Sequence, residues 1–378
     1  MLDFSAIPLV DNHCHSVLRE QCMDAVQFRS YFSEATHPDF AYKHLPHTVY
    51  YLWLLRQISA LYQCERSEAA VIEARNRFGA DELLSRLWQA ANIEMLVLDL
   101  AYPHPDRCYT AERISEVTQC RTAKVLRLET LMQQVVTEND DFEAVTYRFS
   151  AALSNLRGQG YCALKSIVAY RCGLNITEWS KDKAAYAFSE ARAELTRTGQ
   201  LRIAQKPLVD YLLHIALARA AEQGIPIQFH TGYGDSDTDL LLGNPLHLRE
   251  VLERRDYWTA PVVLLHESYP YCRQGAYLAA VYPHVYFDLS FAIPFVEKLE
   301  MLAFTRQALS IAPASKLVYS SDGIHVPEMH WAAALRGREV VASVLGEMVA
   351  ADELDEEQAY YLARLILHDT AATLYQLK

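Results

Sequence analysis

His13 and His15, one residue apart, are the first pair in this sequence whose types and spacing could do chemistry together. Side chains at i and i+2 of an extended strand point to the same side, so the two imidazoles can chelate one cation. With 14 histidines in 378 residues, about half a His-x-His pattern arises by chance, so the pair needs company. Lys165, His230, His266 and Asp322 supply it, because each ends or follows a short apolar run that reads as a β-strand. Imidazoles plus a carboxylate, with one position left for water, suit zinc or a similar borderline divalent ion. Such an ion lowers the pKa of bound water to about 7. Asp322 is then the group to take the water's proton and pass it to a leaving group.

Lys165, in Ala163-Leu164-Lys165-Ser166, has two readings. Its ammonium can snorkel to a polar rim or pair with an acid there. Alternatively, neighbouring metal charge keeps the amine neutral, so that it takes up carbon dioxide and becomes a bridging carboxylate. Arg171 offers a fork for a substrate carboxylate, and a structural salt bridge is the equal alternative. The segment His230–Asp239 carries glycines that permit tight turns, with Tyr233 and Asp235 as candidate pocket residues. Its aspartates do not form a calcium loop, since the glycine and distal glutamate of that motif are misplaced. Gly232-Tyr233-Gly234 lacks the pattern of a phosphate cradle. After His266, Glu267 and Tyr269 are candidates for substrate walls, and packing is the alternative for the tyrosine.

The elements that must hold these residues recur along the chain. Eight short β-rich runs are expected at Ile7–Asp11, Ile93–Asp99, Lys124–Leu128, Tyr161–Ile167, Ile225–His230, Pro261–His266, His284–Leu289 and Lys316–Ser321. Between most of them lie helical patterns such as Lys206–Gln223, where Leu208, Leu212, Ile215, Ala216 and Arg219 follow a 3.6-residue rhythm. Eightfold strand–helix alternation predicts an α/β fold, a (β/α)₈ TIM barrel whose catalytic residues collect at the C-terminal ends of the strands. Residues 19–91 break the rhythm. Their helical runs, Thr48–Cys64, Arg66–Phe78 and Asp81–Ala90, predict a helical insertion over the barrel mouth, and 1–378 is expected to be one domain.

Composition excludes other classes. The formal charge is −12 with no long basic run, so nucleic acid is not an expected partner. No stretch of 18 apolar residues is free of charge, which argues against a membrane span. The first residues have no basic n-region or apolar core, so no secretory leader is expected. Eight cysteines without a CxxC pair read as free thiols of a cytoplasmic protein. The expected partner is a small-molecule substrate, with a homo-oligomer left open.

Taken in strand order, His13-x-His15, Lys165, His230, His266 and Asp322 resemble the amidohydrolase superfamily. The segments HTGYGDSDTDLLLGNPLHL, LLHESYPYCRQGAYLAAVYPHVYFDLSFAIPF and VYSSDGIHVPE are similar to one branch, the amidohydrolase-like domain fused to glutamine synthetase in FluG-type and nodulin-like proteins. The resemblance implies that His13, His15 and Asp322 hold a buried ion. It implies a second ion on His230 and His266, bridged through carbamylated Lys165. In one-metal members His230 instead completes the first site and His266 assists catalysis; the chain keeps residues for both schemes. A synthetase segment is absent from these 378 residues, so a coupled glutamate or ammonia role is not expected. The branch's association points to hydrolysis of a C–N amide of a small carboxylate-bearing substrate, such as a γ-glutamyl amide. A metal-dependent decarboxylase or uronate-type isomerase is the alternative, and a non-catalytic metal-binding or signalling protein a third.

Overall fold

A computed structural model describes residues 2–20, 22–291 and 293–377. Eight strands, β1 (Leu9–His15), β2 (Ile93–Asp99), β3 (Arg121–Arg127), β4 (Tyr161–Ser166), β5 (Ile227–Phe229), β6 (Val262–Leu264), β7 (Val285–Ser290) and β8 (Leu317–Ser320), follow one another with helices between most of them. They form one sheet in sequence order, a nearly closed barrel of parallel strands. Backbone bonds from Asp322 N to His13 O (3.0 Å) and from His15 N to Gly323 O (2.8 Å) tie the first strand to the chain just past the last.

All eight expected strands are present, with one instructive shift. β1 extends to His15, so both histidines lie inside the strand rather than beyond it. The polar run Asp11-Asn12-His13 looks like a strand end in sequence. It stays extended because pairing with β2 continues to Asp99, past a register shift between Asp11 and Cys14.

By packing, the chain divides into two compact units. The first comprises Met1–Ala123, Gly234–Ser236 and Asp288–Thr373. It includes the insertion, four helices α1 (Ala25–Ser30), α2 (Val49–Tyr62), α3 (Glu68–Arg75) and α4 (Ala80–Ala91). Asp24, Thr48 and Ser67 cap the first three by accepting bonds from the third residue on. The insertion is anchored by charge. Arg75 Nε donates to Glu328 Oε1 at 2.6 Å, and the Tyr62 hydroxyl donates to the same oxygen at 2.8 Å, all three groups being buried. Glu328 opens the long helix Pro327–Ala350.

The second unit comprises Lys124–Tyr233, Asp237–Phe287 and Leu374–Lys378. Its helix Lys206–Gln223 buries Leu208, Leu212, Leu213, Ala216, Leu217 and Ala220. Ile215 and Arg219 from the expected stripe are only half-buried, because Leu213 and Leu217 turn the apolar face away from them; Arg219 instead reaches Ser150 and Glu222. The eight cysteines are free. Among the described residues no helix is long and apolar enough to cross a membrane.

Candidate metal centre

In the first unit β1 supplies His13, fully buried, and His15, 7% exposed. Each Nε2 lies 3.7 Å from Asp322 Oδ1. Two donors, each about 2.0–2.2 Å from a shared ion, can stand at most about 4.4 Å apart, so each histidine is within that range of Asp322. The tautomer is set from behind. His15 Nδ1 faces the carbonyl oxygens of Asp99 (3.0 Å) and Tyr102 (3.1 Å), which calls for a proton on Nδ1 and turns the Nε2 lone pair towards the cation.

Asp322 sits in the left-handed region at φ +47°, a strained conformation for a side chain with a Cβ. The strain is held in place by its neighbours. Asp11 accepts from both Ser321 N (2.9 Å) and Ser321 Oγ (2.5 Å), and Gly323 N donates back to Ser321 Oγ at 2.8 Å. His330 packs so closely on Gly323 that a Cβ there would fall 2.6 Å from the ring. These supports span some three hundred residues of sequence, and the sequence carries no local signal for them.

The insertion adds groups that spacing alone misses. Tyr31 stacks on His325 at 4.8 Å between ring centroids, and Thr36 Oγ1 lies 3.2 Å from Ser236 Oγ. Between these two anchors is Glu34, whose carboxyl is pushed up to about 7 by burial first, then by the charges of Asp322 and Asp235. Asp235, one of the expected substrate residues, is therefore near enough to act on Glu34.

In the second unit Lys165 is 1% exposed within β4. His230 follows β5, and His266 opens the turn after β6, their ring centroids 4.4 Å apart. His230 Nε2 donates to Tyr233 O at 2.7 Å, which leaves Nδ1 as the donor atom for a metal. His266, Glu267 and Ser268 all have positive φ (+62°, +54°, +48°), a run of left-handed residues stabilised by a Ser268–Thr231 hydroxyl contact of 2.8 Å. Gly232 is required beside it, since at φ +74° a Cβ would lie 2.4 Å from Tyr269 O. Tyr233 is buried with its ring 5.8 Å from His266, and its N–H donates to Tyr269 O. Glu267 is fully buried and Tyr269 half-buried. Arg171 is half-buried after the turn Val168–Tyr170.

The nearly closed parallel barrel is the fold of TIM-barrel hydrolases. A family model described as amidohydrolase matches residues 193–377. It is similar to protein fluG of Emericella nidulans, with 29% identity over 98% of this chain and 46% of that protein. The chain thus spans about half the length of this curated relative. Among solved structures, a Lactobacillus casei protein provisionally assigned as a metal-dependent hydrolase is 28% identical, with a TM-score of 0.88 over 100% of this chain and 98% of that one. A uronate isomerase of Bacillus halodurans shares the fold, at 14% identity and a TM-score of 0.66 over 99% of this chain and 94% of that one.

Proposed function

We propose that this chain hydrolyses a C–N amide bond of a small carboxylate-bearing substrate, with a γ-glutamyl amide as the leading candidate. The observation that carries the reading is Asp322 Oδ1 lying 3.7 Å from Nε2 of both His13 and His15, with the His15 tautomer fixed from behind. These three residues would hold a zinc-type divalent ion. His230 and His266 would hold a second ion where two are bound, and Lys165 would, once carbamylated, add a carboxylate donor. When bound, the ion supplies Lewis acidity that favours ionised water at neutral pH.

The chain's own residues then do the proton work. The Asp322 carboxylate accepts a proton from water as the water oxygen bonds to the amide carbon. The same carboxyl returns that proton to the nitrogen as the C–N bond breaks, giving a carboxylic acid and a free amine. Arg171 orients the substrate's carboxylate. Tyr233, Asp235, Glu267 and Tyr269 are proposed as walls of the pocket.

Amine release from a panel of γ-glutamyl amides tests this, comparing wild type with Asp322→Asn. The variant keeps the size but loses the base, so turnover should drop at least about 100-fold in a folded protein. Release of carbon dioxide, or aldose–ketose conversion of a uronate without any amine, would replace the amidase reading by the lyase or isomerase one. Metal analysis of Lys165→Ala should show about one equivalent fewer than wild type; equal content with a single ion would remove the bridge.

A further inference from the structure

Arg127 is the last residue of β3 and the Cα partner of Lys165 on β4. Paired residues of adjacent parallel strands project to one face of the sheet, so Arg127 shares the face of the buried lysine. Arg171 follows β4 by one short turn. Its Nε is buried without a hydrogen-bond partner. Burial, together with the nearby charges of Arg202 and Arg127, holds Arg171 below the ordinary arginine range.

Glu129 and Asp237 offset part of that charge through space, but neither hydrogen-bonds to Arg171. Arg202 Nη2 donates to Asp237 Oδ2 and to Tyr170 O, both at 3.1 Å, so Asp237 already has a guanidinium. Glu129 accepts from Ser166 Oγ at 2.7 Å, and burial raises its carboxyl above the usual range. A half-buried guanidinium left in this state is unfavourable unless an anion visits it. A planar fork of N–H groups matches a carboxylate bidentately.

We propose that Arg127 and Arg171 act together as the carboxylate subsite, which makes Arg127 a specificity residue and fixes the substrate class as an organic acid. The proposal rests on the reading of the strand ends as the active site. Its ligand chemistry is an oxyanion, and the geometry of the guanidinium favours a carboxylate over a phosphate.

Calorimetric titration of the purified, metal-replete protein with glutarate, monomethyl glutarate and inorganic phosphate tests it. Glutarate should bind. Arg171→Met and Arg127→Met should each weaken it about 10- to 100-fold, the range of one charged hydrogen-bonded contact. Arg171→Lys, which keeps the charge without the fork, should fall between and controls for folding. Unchanged glutarate affinity in Arg127→Met, or no glutarate binding to wild type, overturns the shared subsite. Phosphate binding tenfold tighter than glutarate overturns the carboxylate assignment. Arginine-dependent glutarate binding without hydrolysis of any γ-glutamyl amide would defeat the amidase reading and leave this subsite standing. Hydrolysis unaffected by both arginine variants would do the reverse.

Discussion

The two units treat buried charge in opposite ways. In the first, Arg75 has Glu328 and Tyr62 as built-in partners, and Asp11 has Ser321. There the charges of Asp322 and Asp235 also act on Glu34. In the second unit the Nε of Arg171 is buried without a hydrogen-bond partner, and neither Asp237 nor Glu129 hydrogen-bonds to it. Carboxylate beside imidazole suits a metal cation, and a guanidinium without a hydrogen-bonded partner suits an anion. The proposed ion site and the proposed carboxylate subsite thus differ in sign.

The largest effect should come from removing one tooth of the chelate. His13→Ala and His15→Ala should each lose bound metal and activity together, by about a thousandfold or more in turnover. Full metal occupancy in both purified variants would break the cation half of the comparison.

That half was legible in sequence as far as residue types go. The i, i+2 histidines and the strand-end Asp322 could be read directly, because apolar runs with period-two geometry leave few places for them. The eight strands were legible for the same reason. The extension of β1 through His15 was not, since three polar residues in a row carry no strand signal; β2 holds them extended. Glu34 was invisible because it lies in an insertion with no fixed distance to the strand ends. Arg127 was passed over because an arginine before a helix reads as a solvated residue. Only the pairing of Arg127 with Lys165 puts it on the working face.

A matched pair of substitutions sharpens the comparison next. Glu328→Gln leaves the Arg75 guanidinium buried without its anion and should cost about 3–5 kcal/mol of stability. Arg171→Met removes a cation that already lacks a hydrogen-bonded partner, so the ligand-free protein should be unchanged or gain up to about 1 kcal/mol. Urea denaturation reads both. If Arg171→Met were as damaging as Glu328→Gln, Arg171 would be a structural residue, and the contrast between the units would fail.

The smallest expected effect belongs to Glu34, and it has a definite direction with pH. Burial, then Asp322 and Asp235, raise the folded carboxyl from 4.5 to about 7. Between those values the folded chain holds a proton that the unfolded chain has released, so stability falls as pH rises through that window. Glu34→Gln has no proton to lose. In metal-free protein the melting temperature of the variant relative to wild type should therefore climb from pH 4.5 to about 7 and stay level above it. A half-exposed side chain tempers the size, to roughly 1–3 °C. Adding zinc should flatten the climb, because a cation at Asp322 offsets the repulsion that raises Glu34. A difference that stays flat in the metal-free protein would mean that Glu34 is ionised throughout, and that the acids of the first unit do not act on one another. A climb that zinc leaves untouched would place the cation away from Asp322.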